Sequence, residues 1–134
     1  MTGWRRAGLF LLSVVEGARA GIPPEWIRAH VQVESSGRDV VTDEGGGLWS
    51  YGVMQVLPGT AALVGYEGPD AELVRPELSV RYGARYLARQ LRRYDGDYGK
   101  AIIAYKAGTW DEQRETFASN IAYRDAVMAC WYRC

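Results

Sequence analysis

A chain of 134 residues with 16 basic and 16 acidic side chains carries no formal net charge, which removes the footprint expected of a nucleic-acid binder. Its length fits one domain over residues 1–134, large enough to bury most of its unfolded surface in one core, and no stretch is apolar and long enough to span a membrane. One histidine and two cysteines make no ligand cluster, so neither a metal nor an organic cofactor is expected, and a monomer is.

Arg5-Arg6, the apolar run from Ala7 to Val15 and the small-residue Ala18-Arg19-Ala20 imitate an export signal. Glu16 and Arg19 break that imitation, and Trp4, Leu11, Val14, Val15 and Ala18 recur at helical spacing. Residues 4–20 are therefore read as a first helix. Pro23 and Pro24 suit the start of a second, over 23–36, because the first N–H groups of a helix have no partner to lose; Gly37 offers its left-handed stop. At about 100° per residue, Trp26, Ile27, Ala29, His30, Val31 and Val33 sweep an apolar arc, while Glu25, Arg28, Gln32, Ser35 and Ser36 fill the other face. Glu34 falls inside the arc, one turn after His30. A carboxylate aimed at a core is costly unless paired, neutralised or used. Glu34 is thus either bonded to His30 or a loop amide, or it is a proton donor.

Residues 40–56 read as irregular or short-hairpin structure turning at Gly45-Gly46-Gly47. A short helix over 58–64 closes at Gly65, and 66–76 is a loop rich in Gly, Pro and Asp. A long helix follows over 77–94, with Val80, Gly83, Ala84, Leu87 and Leu91 inward, Gly83 inviting another helix close, and the arginines forming a solvated face. Asp97 can cap a nearly all-apolar, buried helix over 98–106, and 117–131 forms the last. Cys130 and Cys134 stand four apart, poor geometry for a disulfide on an intact helix but accessible if the end frays, so their pairing stays open. The fold class is mainly α, a single compact helical domain with a small irregular or hairpin segment after the second helix.

Four short motifs occur in order: Glu34-Ser35 at a helix end, Gly52-Val53-Met54-Gln55, Pro58-Gly59-Thr60-Ala61 opening a helix, and Ala104-Tyr105-Lys106-Ala107-Gly108. Together they resemble the soluble-type lytic transglycosylases (SLT domain) and their goose-type lysozyme relatives, over roughly residues 13–108. The resemblance implies a lysozyme-like α+β fold and cleavage of the MurNAc–GlcNAc β-1,4 bond of peptidoglycan, leaving a 1,6-anhydro end. It also implies action on the bacterial cell wall. Without a convincing export signal, the chain suits a phage-encoded enzyme or a domain of a larger virion or secreted protein.

The residues themselves speak to the chemistry. Glycosidic cleavage needs an acid for the leaving oxygen, and burial raises a carboxyl's pKa enough to keep its proton near neutrality. Glu34 is the one acid whose expected surroundings do this. A hydrolase would need a second carboxylate. Asp39, Asp43 and Glu44 are the loop acids within reach, each more simply read as a solvated turn residue. In the resembled transglycosylases the sugar's own C6 hydroxyl attacks, so one glutamate acts first as acid and then as base. That plan fits this sequence better than two carboxylates.

By the same resemblance Tyr105 points its hydroxyl at Glu34 or the sugar, and Ser35 orients the carboxyl, although a helix-end serine often bonds its own backbone instead. Val53 and Met54 form an apolar wall beside Glu34, and Gln55 bonds sugar N-acetyl or hydroxyl groups. Trp49, Tyr51 and Trp110 are candidates for stacking on sugar faces. Lys106 stands where the family has Asn, and Leu57 where goose-type lysozymes have an aspartate; the lysine either approaches a peptide-stem carboxylate or snorkels to solvent. The alternatives are a goose-type hydrolytic muramidase and a wall-binding or phage-tail module that has lost catalysis.

Overall fold

The computed structural model describes residues 1–134. Six α-helices and one hairpin follow in the order α1 (Gly3–Ala20), α2 (Pro24–Ser35), β1 (Val41–Gly45), β2 (Leu48–Tyr51), α3 (Pro58–Leu63), α4 (Pro76–Arg93), α5 (Tyr98–Ala107) and α6 (Phe117–Arg133), with a 3-10 turn at Asp70–Val74 before α4. The mainly helical expectation holds, and the helix ends fall where local chemistry puts them. Thr2 Oγ1 accepts from Arg5 N and Asp97 Oδ1 from Lys100 N, capping α1 and α5. Prolines open α2, α3 and α4. The left-handed stop of α2 is Ser36 (φ 54°), with Gly37 next to it also at positive φ.

α1 packs on α2 and α4, α5 lies between α4 and α6, and α6 closes back on α2. Trp26, Ile27, Met54, Leu73, Leu87 and Ile102 are completely buried where these helices meet. Of the expected inner positions of α4, Val80, Gly83, Ala84 and Leu87 are buried and Leu91 is partly so. Gly83 is approached not by another helix but by the Met54 side chain, whose Sδ would lie 2.6 Å from a Cβ placed there. One arginine of α4 leaves the solvated set: Arg81 reaches the buried Glu16 of α1 at 3.3 Å, which Arg19 also pairs. Cys130 and Cys134 are disulfide-bonded, Cys134 lying just past the last residue of α6. No helix is long and apolar enough to cross a membrane.

The hairpin pairs Val41 with Tyr51, Thr42 with Ser50 and Asp43 with Trp49, then slips so that Gly45 faces Leu48. Glu44 is the extra residue of that bulge, a device that re-aims side chains. Behind the hairpin, Gly52 turns at φ 78°, and a Cβ there would lie 2.7 Å from Ser79 Oγ and 2.9 Å from the Leu73 carbonyl oxygen. Gly52→Ala therefore combines a left-handed penalty with a clash against backbone. It should cost about 2 kcal/mol, measurable as a lower urea midpoint at unchanged m-value.

Candidate active site

The last turn of α2, the hairpin, the start of α3, the middle of α4 and the last turn of α5 enclose a cleft of about 270 Å³. Glu34, Glu44, Ser50, Gln55, Thr60, Tyr86, Tyr105 and Lys106 are among the residues that line it. A larger hollow of about 680 Å³ between α1 and α2 contains no acidic side chain and offers no proton donor.

Glu34 sits half-buried at the cleft wall, as its place on the apolar arc predicted. Loss of water around it raises its pKa from 4.5 to about 7; a hydrogen bond from Tyr123 pulls the other way, the charge of Glu44 adds to the rise and Lys106 opposes it. The carboxyl does not bond His30 directly. Tyr123 Oη lies 2.5 Å from Glu34 Oε2 and 3.0 Å from His30 Nδ1, standing between the two.

Two opposed pH shifts follow from these charges. Glu44→Gln removes a like charge and should lower the pH at which Glu34 gives up its proton. Lys106→Ala removes an opposite charge and should raise it. Titration of the Glu34 carboxyl carbon by NMR in both variants checks the signs.

Tyr105 lies in the cleft as expected, but its hydroxyl donates to the Met54 carbonyl oxygen at 2.7 Å rather than to Glu34. Tyr105 thereby ties α5 to the loop after β2, and the hydroxyl on the acid belongs to Tyr123. Ser35 is buried, and its Oγ contacts the carbonyl oxygens of Val31 and Val53 at 3.0 and 2.8 Å while accepting from Gly37 N. It bonds backbone and not the carboxyl, stapling the end of α2 to the Val53 loop. Val53 and Met54 are both completely buried, so neither side chain can form a sugar-facing wall; Met54 instead fills the space opened by Gly83.

Gln55 reaches the cleft with its amide already committed. Nε2 donates to the carbonyl oxygens of Val40 and Gly52, and Oε1 accepts from Thr42 Oγ1 at 2.6 Å and lies 2.8 Å from Ser50 Oγ. Both amide hydrogens are thereby spent on backbone, and Oε1 keeps at most one lone pair, the one facing Ser50, for a sugar donor. The side chain instead locks the hairpin to its own left-handed turn, at φ 52°. Ser50 has one hydroxyl hydrogen, and the shorter contact of its Oγ, 2.6 Å, is to Glu44 Oε1.

Trp49 is exposed, and with Tyr51 it lines a second depression that shares Leu57 and Thr60 with the Glu34 cleft. The two hollows thus lie side by side at the start of α3. Lys106 stands exposed at the rim with Nζ 5.3 Å from the Tyr123 ring centre. Trp110 is apart, edge-on to Phe117 and under Lys100.

Sequence reasoning missed Tyr123 and Tyr86; Glu44 is solvent-exposed as read, but it also lines the cleft. A signal for Tyr123 existed: Asn120, Tyr123, Val127 and Cys130 fall three to four apart and mark the inward stripe of α6. Nothing local distinguished Tyr86 from any core tyrosine. The bulge that turns Glu44 could not be read from Gly45-Gly46-Gly47 alone.

The family description "Transglycosylase SLT domain" matches residues 13–124. Over 60 residues, 42% of this chain, the sequence is 38% identical to the peptidoglycan transglycosylase gp16 of Escherichia phage T7, of which the match covers 5%. An inactive mutant of the lytic transglycosylase Slt from Pseudomonas aeruginosa superposes with a TM-score of 0.72 at 24% identity, over 90% of this chain and 22% of that one. The chain thus spans a small fraction of the length of either relative. With the family description fitting nearly from α1 through α6, and the fold shared with Slt, this chain belongs to the transglycosylase SLT domain family.

Proposed function

We propose that this chain is a peptidoglycan lytic transglycosylase that cleaves the MurNAc–GlcNAc β-1,4 bond. The observation that carries the reading is a half-buried carboxyl with a pKa of about 7 at the wall of a cleft. Glu34 gives its proton to the glycosidic oxygen as that bond to the MurNAc C1 breaks. The resulting carboxylate faces the positive carbon and then takes the proton of the C6 hydroxyl as its oxygen closes on C1. The proton returns to Glu34, no water is consumed, and the product ends in a 1,6-anhydro ring. Trp49 and Tyr51, in the adjoining depression, offer ring faces to the neighbouring sugar, and Lys106 offers a cation to a carboxylate on the peptide stem. Residues 1–134 act as one domain, as a monomer, on the cell wall.

Hydrolysis of goose type would use Glu44, the other carboxylate lining the Glu34 cleft, as base for a water. Mass spectrometry of digested peptidoglycan separates the readings, because an anhydro end is one water lighter than a reducing end. Anhydro-muramic ends are expected, and Glu44→Gln should still release them. Reducing muramic ends alone would overturn the transglycosylase reading.

A further inference from the structure

Behind Glu34 lies a short buried hydrogen-bonded chain that the cleavage scheme does not require. His30, one turn before Glu34 on α2, is completely buried and is the chain's single histidine. Its ring packs against Tyr105, with centroids 4.8 Å apart, and edge-on to Trp26 at 5.8 Å, which fixes its orientation. Nδ1 meets Tyr123 Oη at 3.0 Å, Tyr123 Oη meets Glu34 Oε2 at 2.5 Å, and Nε2 has no partner.

Tyr123 has one hydroxyl hydrogen for two neighbours, so only two arrangements are open. If that hydrogen goes to His30 Nδ1, the imidazole proton sits on Nε2 as a buried N–H with no acceptor. The short contact to Glu34 must then be made by the acid's own proton, aimed into the core and away from substrate. If the hydrogen goes to Glu34 Oε2, the imidazole proton sits on Nδ1 and donates to the tyrosine oxygen. Only a bare ring lone pair is then left facing the core. Orphaned buried N–H groups are the rarer defect, and the second arrangement avoids one.

We infer that His30 is a positioning residue: a neutral imidazole with its proton on Nδ1 that commits the Tyr123 hydrogen to Glu34 Oε2, so that the acid carries its proton on Oε1. Oε1 has no protein partner and belongs to the carboxyl that lines the cleft. The acid's proton is thus held on the oxygen free to meet a glycosidic bond. Burial supports the neutral ring, driving the His30 pKa down to about 3. The catalytic consequence rests on the function proposed above; the tautomer does not.

The ring state can be read directly, because a single histidine gives unambiguous signals. In the ¹⁵N-labelled protein a long-range ¹H–¹⁵N correlation should show Nδ1 protonated and Nε2 bare, unchanged from about pH 5.5 to 8. A proton on Nε2, or an imidazolium at pH 6, overturns the inference. Kinetics provide the second arm. His30→Asn places an N–H near the Nδ1 position and should keep kcat within roughly threefold. His30→Leu fills the space without a donor and should lower kcat roughly tenfold to a hundredfold with KM little changed, since misplacement of a reacting group costs that much. Equal kcat in the wild type and a folded His30→Leu protein also overturns it. Should Leu not fold, a large loss of kcat in a folded His30→Asn protein does so instead. If no anhydro ends appear from any form, the proposed function fails while the tautomer measurement stands.

Discussion

Glu34→Gln should lower peptidoglycan turnover by roughly a thousandfold or more while making the folded protein more stable above neutral pH. The amide keeps the size of the side chain and can still accept from Tyr123, but it has no proton to give. Stability moves the other way because the native carboxyl pays for its place when ionised. Its folded pKa of about 7 lies above the ordinary 4.5, so the folded state holds the proton more tightly than the unfolded chain does. The group costs nothing below about pH 4.5. Stability then falls as pH rises through the interval to 7, and the full penalty stands above it. Partial contact with water reduces that penalty to about 2 kcal/mol, so the amide variant should unfold at higher urea than the wild type at pH 8 and at the same urea at pH 4. An equal midpoint at both pH values would mean that the carboxyl sits in water and has no special acidity.

Wild-type kcat/KM should fall about tenfold per pH unit above pH 7, because catalysis begins with the protonated form and Glu34 loses its proton at about that pH. An ordinary surface glutamate would place the same decline between pH 4 and 5 and leave almost nothing at neutrality. Initial rates of soluble muropeptide release across pH 5 to 9 give the profile. A decline centred near pH 4.5 would show that burial does not set the acid.

The sequence made much of this arrangement legible for reasons that differ from one residue to the next. Glu34 was visible because a 3.6-residue period and one charged side chain in an apolar arc conflict within twelve residues, α2's full length. The helix ends were visible because proline, Asp97 and glycine act on the nearest few N–H and C=O groups. What local pattern cannot give is the partner of a side chain across the fold. Tyr105 and Tyr123 are both inward-facing tyrosines near Glu34, and only tertiary packing sends one hydroxyl to Met54 and the other to the acid. Gln55 shows the same limit: its motif predicted an amide held out to substrate, but the carbonyl oxygens of Val40 and Gly52 claim both its hydrogens and Thr42 one of its lone pairs.

Tyr123 and Glu34 stand 89 positions apart along the chain, and His30 and Tyr123 are separated by 93. The burial that raises the Glu34 pKa is likewise assembled from distant parts of the chain, with Tyr86 and Tyr105 lining the same cleft, and is a property of the finished fold. In the unfolded chain the carboxyl is in water, where it ionises below pH 5 and has no proton to transfer at neutrality. Folding itself acts as the enzyme's safety catch.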